Sequence, residues 1–455
     1  MIDIEAELKK IPDYDRFHTL DEMLRKAKYV AQAHTDLYVF TEVGHSSDGE
    51  AMPMLTIGTG QTRVLLFASP HPNEPIGAML IQFLLDELVQ NKALRDSYTW
   101  YLLPCVDPDG TRLNEGWFAG PYTIRNYARH FYRPRSAEQV EWTFPIDYKD
   151  LHFDSPIPET KALMQAFNIA KPHMVYSLHN AGFGGVYYYL SHDLPEVYED
   201  FHEIPKRREL ALSLGEAEMP WAVEFAPAVY KFGSIRDAYD YHETYGSGSP
   251  AKLIQGGGSS GDYLRDLGLE KEPLILITEL PYFQSEQIAD QTPVDKSRRE
   301  ILLEGIKQSR ETTLAIRDIL DRIKAEMTLD TRFYRAVSSF NEQALNGLAS
   351  KEKWAKEAPN MDQPATKAQE TDELYVGSFY RLLVASMLRR GLDLQLAKTP
   401  SQDLETAKAD LEALLESWTE RLEKGLEYEA IPIKKLVEVQ YGALLSVLGS
   451  SFFSG

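Results

Sequence analysis

Hydrophobic and polar positions in the first hundred residues follow the pattern of a hairpin, a buried strand and a helix. Residues 37–57 contain two apolar-rich runs separated by Asp48-Gly49, a pair typical of hairpin turns. Residues 63–68 form an unbroken apolar run, as in a strand that is covered on both faces. Apolar residues then recur at helical spacing from Ile76 to about Asn91, so we predict a helix directly after that strand.

The alternation of strands and helices continues to about residue 325. Further strands are predicted at 98–106, 173–179, 185–191 and 274–280, the first of them ended by a turn at Asp107–Gly110. Further helices are predicted at 16–30, 159–169, 206–214 and 298–325. This pattern predicts an α/β fold with a mixed sheet flanked by helices.

The pattern changes after about residue 327, where no strand is predicted. Helices are predicted at 374–394, from a capping box at Thr399–Gln402 with Pro400 in the first helical position to about 422, and at 433–448. Residues 357–372 have the composition of an exposed, flexible connector. We therefore divide the chain into an α/β domain at 1–327 and an all-α C-terminal region at 328–455.

Charge and composition exclude several classes of function. The 455 residues carry 48 Lys and Arg against 69 Asp and Glu, a net charge of −21, which disfavours binding to nucleic acid or to an anionic membrane surface. No apolar run reaches the roughly 18 residues of a membrane span, and the first residues lack a secretory signal pattern, so we expect a cytoplasmic protein. Since Cys105 is the one cysteine, a metal site here must use histidine and carboxylate ligands.

Three sequence features at the ends of predicted strands are candidates for metal chemistry. His71 and Glu74 lie three residues apart in a proline-flanked turn between a strand and a helix. His179 ends the predicted strand at 173–179, and Glu279 interrupts the apolar run at 274–280. Ligands bind at the carboxyl ends of such strands, and zinc accepts imidazole and carboxylate together. A buried glutamate is costly unless it is paired or functional, so Glu279 is a candidate general base.

Each of these features also has a structural explanation. His71 and Glu74 are compatible with an ordinary turn and helix start, His179 with a hydrogen-bonded core histidine, and Glu279 with a buried ion pair. Their combination at the ends of separate strands favours the functional interpretation.

The motifs resemble those of the M14 zinc carboxypeptidases over roughly residues 14–325, and they occur in the order of that family. The resembling segments are Phe17–Met23, Val43–Gly49, Leu55–Gly58, His71–Glu74, Asp107–Gly110, Ser177–His179 and Thr278–Leu280. The resemblance implies one Zn²⁺ per chain held by His71, Glu74 and His179, with Glu279 as the base. It also implies a zinc-dependent hydrolase that cleaves the C-terminal residue of a peptide or a related amide bond, and a peptide or acyl-amino-acid substrate with a free carboxylate.

The family also uses arginines, which are harder to place in this sequence. By resemblance, Arg112 is the candidate for stabilising the oxyanion. Arg129 matches best the arginine that binds the substrate carboxylate, while Arg125 and Asn126 show the family's Asn-Arg pair in reversed order, and Arg133 lies in the same segment. The structural alternative is a helix face that pairs with acidic surface residues. Residues 255–262 resemble the family's glycine-rich loop, but no tyrosine stands at the expected spacing.

Two alternative functions stay open at this point. One is a deacylase or amidase that acts on N-acyl amino acids, or a hydrolase of peptidoglycan stem peptides, since the Asn-Arg match is imperfect. The other is a zinc-binding interaction protein without catalysis, which Glu279 disfavours because a structural zinc site has no need of a general base.

Overall fold

The computed structural model describes residues 3–453, and its strands build a mixed central sheet with three small two-stranded ribbons. The strands are β1 Tyr38–His45, β2 Ala51–Ile57, β3 Thr62–Ala68, β4 Tyr98–Leu103, β5 Ile146–Tyr148, β6 Leu151–Phe153, β7 Met174–Leu178, β8 Tyr187–Leu190, β9 Glu224–Ala226, β10 Val229–Lys231, β11 Leu274–Glu279, β12 Phe283–Gln284, β13 Pro293–Ser297, β14 Pro364–Thr366 and β15 Glu429–Ala430.

Helices flank the sheet and make up most of the C-terminal region. They are α1 Ile4–Leu8, α2 Leu20–Ala33, α3 Ile76–Gln90, α4 Lys92–Ser97, α5 Pro108–Asn114, α6 Ile124–His130, α7 Pro158–Ala170, α8 Tyr198–Lys206, α9 Ile235–Tyr245, α10 Pro250–Leu253, α11 Ser260–Asp266, α12 Arg298–Ile323, α13 Arg332–Glu357, α14 Lys367–Thr371, α15 Gly377–Lys398, α16 Gln402–Gly425 and α17 Ile433–Leu448. None of the helices described between residues 3 and 453 combines the length and the apolar character that crossing a bilayer requires.

The central sheet has nine strands in the order β1-β2-β4-β3-β7-β11-β8-β10-β9. Strand β3 runs parallel to β4 and β7, and β7 runs parallel to β11. Strands β1 and β2 pair with antiparallel neighbours, whereas β8 is antiparallel to β11 and parallel to β10. The register places Ala68, Leu178 and Thr278 side by side. The carboxyl ends of β3, β7 and β11 therefore meet at one edge of the sheet, which confirms the predicted mixed α/β architecture.

Apolar side chains on both faces of the sheet form the core. Leu65, Val175 and Ile275 belong to the cluster on one face, which α7 covers. Their sequence neighbours Leu66, Tyr176 and Leu276 belong to the cluster on the other face, which α3 and α17 cover. Because successive residues of a strand point to opposite faces, strands covered on both sides become continuous apolar runs, as the sequence shows.

Two local predictions between residues 1 and 327 are wrong. Residues 206–214 are not helical: α8 ends at Lys206, Glu209 has a positive φ of 58°, and the chain continues extended so that Leu212 bridges Val186. Asp107–Gly110 is not a simple turn either. The Asp107 side chain accepts a hydrogen bond from the Gly110 N–H at 2.9 Å and Pro108 occupies the first position, so the segment begins α5.

The C-terminal region packs against the sheet, and its connecting segment is ordered. Helix α17 lies against α3, α8 and β11. Residues 357–372 are not an exposed connector, because Met361 and Ala365 are buried and β14 pairs with β13. The prediction that no strand follows residue 327 is therefore wrong for β14 and for β15, which pairs with β12. The boundary at 327–328 falls between α12 and α13 and stays a prediction.

Candidate metal centre

The carboxyl ends of β3 and β7 carry the three residues of the candidate metal centre. His71 and Glu74 lie in the turn between β3 and α3, and His179 follows β7 directly. This turn is tight: a Cβ atom on Gly77 would lie 2.3 Å from the Cβ of Leu178. Glycine at this position therefore lets the first turn of α3 approach β7, which brings Glu74 next to His179.

The three side chains converge on one point. His71 Nδ1 lies 2.9 Å from Glu74 Oε1, and His179 Nδ1 lies 3.1 Å from Glu74 Oε2. One ligand atom from each residue lies within 4.8 Å of the others, and all three residues are at most 5% exposed. Such closeness of two imidazoles and a carboxylate is the geometry of a site that one ion can bridge.

Unpartnered nitrogen atoms support a metal at this point. Among the described residues, His71 Nε2 is buried without a hydrogen-bond partner, and the ring nitrogens of His179 form no well-aligned hydrogen bond although Nδ1 lies 3.1 Å from Glu74 Oε2. Buried polar atoms are rarely left unpaired, so these atoms call for a ligand or an ion. The donor set of two histidines and one glutamate fits a catalytic zinc site, which keeps one position open.

The two histidines of the site have opposite electrostatic environments. Burial, helped by the positive charge of Arg133, lowers the pKa of His71 to about 4. Burial also acts to lower the pKa of His179, but Glu141 and Glu74 outweigh it and raise the pKa to about 10. Burial disfavours the charged form of Glu74 too, yet the two histidines hold the pKa of this carboxylate well below its usual range. Glu74 is therefore ionised and ready to bind a cation.

Glu141 is a further polar residue of the site that the sequence analysis did not identify. Its Oε1 lies 3.8 Å from His179 Nε2, on the side of the ring opposite Glu74, and it accepts a hydrogen bond from Ser177 Oγ at 2.9 Å. The available signal was a carboxylate between Val140 and Trp142 in an otherwise apolar stretch. Carboxylates placed in this way orient a metal-binding histidine.

Glu279 ends β11 beside the three candidate ligands. Its Oε1 lies 3.8 Å from His179 Nδ1, and the residue is 9% exposed. Burial raises the pKa of Glu279 well above its ordinary value, and the neighbouring Glu74 and Glu218 carboxylates add to the rise. A carboxyl group that is costly to ionise is a strong proton acceptor once ionised, as a general base requires.

The structure brings one of the candidate arginines to the site. Arg133 Nη1 lies 3.4 Å from Glu74 Oε1, and its Nε donates a hydrogen bond to Gln139. Arg112 instead lies outside the cavity, because it points outward from α5 and pairs with Asp21 and Glu50 at 2.8 and 2.6 Å. The sequence could not show this orientation of α5.

The remaining candidates on α6 also face away from the metal centre. Arg125 pairs with Glu416 of α16, and Asn126 donates a hydrogen bond to the Pro121 carbonyl at 3.0 Å. Arg129 is exposed and borders a shallow crevice beside Glu416. Arg125 therefore pairs with acidic surface residues, as in the structural alternative of the sequence analysis, on a helix that packs against α15.

A cavity of about 560 Å³ opens over the metal centre. One wall is the sheet edge with the glutamates and histidines. The opposite wall comes from the C-terminal helices α13 and α15, and consists of Phe340, Gln343, Tyr380, Leu383, Val384 and Met387. The C-terminal region is thus part of the site, which its sequence did not indicate.

Two hydrogen bonds connect the helical wall to loops of the α/β region. The Tyr380 hydroxyl accepts a hydrogen bond from the Gly182 N–H at 3.1 Å, three residues after His179. Gln343 Nε2 donates to Gln255 Oε1 at 2.7 Å, in the glycine-rich segment at 255–262. The helices therefore contact both loops that border the cavity.

Comparison with known proteins gives consistent matches. The model of the zinc carboxypeptidase family, Peptidase M14, matches residues 23–266, more than half of the chain. Zinc carboxypeptidase A 1 of Anopheles gambiae is 27% identical over 105 residues, 22% of this chain and 24% of that protein. Carboxypeptidase B of Astacus astacus is 26% identical over 105 residues, 22% of this chain and 35% of that protein. The matched parts thus span about a quarter to a third of these relatives.

Among solved structures, carboxypeptidase A from Helicoverpa armigera is similar at 15% sequence identity and a TM-score of 0.36, over 59% of this chain and 65% of that one. The family match includes the His71–Glu74 turn and His179, whose side chains the structure brings together. The chain belongs to the zinc carboxypeptidase family, Peptidase M14.

Proposed function

We propose that this protein hydrolyses a peptide or related amide bond with one Zn²⁺ held by His71, Glu74 and His179. The observation that carries the proposal is the meeting of these three side chains with Glu279 at one sheet edge, beneath a cavity large enough for a small peptide. When bound, zinc supplies Lewis acidity and lowers the pKa of water at this point.

The residues of this chain divide the remaining work. Glu279 accepts a proton from the attacking water and passes it to the leaving nitrogen, a role that suits its buried, high-pKa carboxyl group. Arg133 is the cationic donor nearest to Glu74, so we assign it to the oxyanion that forms on the scissile carbonyl. Glu141 holds His179 in orientation from the other side of its ring.

The substrate that we propose first is a peptide that loses its C-terminal residue. In that case Arg133 must also contribute to binding the free carboxylate, for which a guanidinium group is suited. A second candidate is a deacylase or amidase that acts on N-acyl amino acids or on stem peptides of peptidoglycan. One observation favours the amidase, whose substrate needs no free carboxylate: Arg112, Arg125, Asn126 and Arg129 all lie outside the cavity lining.

A mass-spectrometric screen of the zinc-loaded full chain tests the proposal. The panel contains peptides, the same peptides with an amidated C-terminus, and N-acyl amino acids, each with a chelator-treated control. We expect zinc-dependent cleavage of an amide bond, and the amidated peptides show whether a free carboxylate is required. If no amide in the panel is cleaved while zinc is bound, the proposed hydrolase is wrong and the non-catalytic zinc-binding alternative gains support.

A further inference from the structure

The charges that line the cavity are mostly negative. Four carboxylates border it, those of Glu74, Glu141, Glu218 and Glu279, whereas Arg133 is the one lysine or arginine among its described lining residues. Three of the carboxylates already have partners or roles in the metal centre. Glu218, which is exposed, has no such role, and its own contacts show how it is held.

Two tyrosines hold the Glu218 carboxylate in place. Its Oε2 accepts hydrogen bonds from the hydroxyls of Tyr189 at 2.9 Å and Tyr187 at 3.3 Å. These are neutral donors, and within residues 3–453 no cationic side chain forms an ion pair with Glu218. Glu216, two residues earlier, differs: Arg298 binds both of its oxygens at 2.7 and 2.6 Å. Of these two neighbouring carboxylates, Glu216 is therefore neutralised by an arginine, whereas Glu218 is held in position but has no cationic partner among the residues that the structure describes.

The position of Glu218 places it next to the reacting centre. Tyr187 pairs in register with Glu279, and Tyr189 pairs with Ile277, so both tyrosines lie on the face of the sheet that carries Glu279. The rings of Tyr187 and Tyr189 lie 5.8 Å apart, and Trp221 lines the same cavity. A carboxylate flanked by aromatic rings is a suitable environment for a cation, which gains both a charge-assisted hydrogen bond and ring contacts.

We propose that Glu218, Tyr187 and Tyr189 form a subsite for a cationic group of the substrate, a primary ammonium or a guanidinium. This inference rests on the proposed hydrolysis for its place in the reaction, but the binding of the cation does not depend on turnover. The subsite offers a negatively charged anchor for this group on the Glu279 side of the cavity, whose described lining contains no lysine and no arginine other than Arg133.

Matched substrates test the subsite during turnover. The panel carries lysine, norleucine or glutamate at each position around the cleaved bond, and kcat/KM is measured for wild type, Glu218→Gln and Glu224→Gln. Glu224 is an exposed glutamate nearby that does not line the cavity, so it controls for the loss of one charge. We expect lysine to be preferred over norleucine by about tenfold in wild type and in Glu224→Gln, and the preference to disappear in Glu218→Gln.

A binding measurement keeps the test independent of catalysis. Ligand-observed NMR titrations compare n-butylammonium and n-butylguanidinium with n-butanol, on wild type and on Glu218→Gln. We expect saturable binding of the two cations that the substitution weakens about tenfold, and little binding of the alcohol. Equal affinity of the cations for both proteins, or of the alcohol and the cations for wild type, overturns the subsite. Cation binding without any hydrolysis in the screen would contradict the proposed function and leave the subsite standing.

Discussion

The two walls of the cavity differ in the polarity of their side chains. The wall at the sheet edge presents buried ionisable groups, those of His71, Glu74, His179 and Glu279, each fixed at or just beyond the end of a strand. The wall formed by α13 and α15 presents mainly apolar side chains, among them Phe340, Leu383, Val384 and Met387. We infer that the first wall performs the chemistry and that the second determines which substrates fit.

This contrast has a physical basis in how each wall is held. The strands β3, β7 and β11 are hydrogen-bonded in register, so the side chains at their ends have little freedom to separate. The helical wall contacts the cavity loops through single hydrogen bonds such as Tyr380 to Gly182. Substitutions at the sheet edge should therefore lower kcat, and substitutions on the helices should mainly raise KM.

After the general base Glu279, the largest effect on turnover is expected for Arg133. We predict that Arg133→Met lowers kcat by about 10²–10³-fold, because it removes the cationic donor that we assign to the oxyanion. Arg129→Met is the matched control, since Arg129 is exposed outside the cavity, and it should keep kcat within about twofold. Equal losses in the two variants, measured with the same substrate, would show that Arg133 has no special place in the reaction.

A smaller effect, on binding alone, is expected for the helical wall. Phe340 lines the cavity from α13 and is half-buried, so Phe340→Ala should raise KM about tenfold and leave kcat nearly unchanged. Leu345→Ala, on the same helix but away from the cavity lining, serves as the control and should change neither parameter. A fall in kcat with constant KM would break the division between the two walls.

The smallest effect on activity is expected where the regions meet, at Asp107. Burial raises the pKa of Asp107 to about 7, although it accepts a hydrogen bond from Gly110 and Arg332 of α13 lies nearby. Its ordinary value is near 3.9, so the unfolded chain loses this proton first as the pH rises. Between about pH 4 and pH 7 the unfolded chain has released this proton while the folded protein still holds it. The free energy of unfolding therefore falls as the pH rises through this range.

We therefore predict that Asp107→Asn, which keeps the helix cap, raises the free energy of unfolding relative to wild type. The gain should reach up to about 4 kcal/mol at pH 8 and be smaller at pH 5. Denaturant unfolding at the two pH values measures the difference. Activity should be unchanged. A variant that is less stable than wild type at pH 8 would show that the ionised aspartate is favourable in the folded protein.

The same contrast explains what the sequence alone could predict. His71, Glu74, His179 and Glu279 follow apolar strands closely, so a pattern that locates the strands also locates these side chains at one edge. Arg112 and the candidates on α6 depend on the rotation of short helices, which tertiary packing determines. Glu141 lies in a single 3₁₀ turn and Glu218 in an irregular segment, and neither is long enough to show periodicity. The helical wall comes from residues far along the chain from the metal centre. Their apolar spacing predicted helices with a buried face, but it did not show that this face covers the cavity.

The variant Glu279→Gln, measured for both zinc content and hydrolysis, tests the central claim most directly. The account predicts that it retains one Zn²⁺ per chain, as wild type does, while hydrolysis of the best substrate in the screen falls by about 10²–10⁴-fold. His179→Ala is the companion variant and should lose the metal as well as the activity. Hydrolysis that survives in Glu279→Gln at the wild-type rate, with zinc bound, would contradict the role of Glu279 as the base.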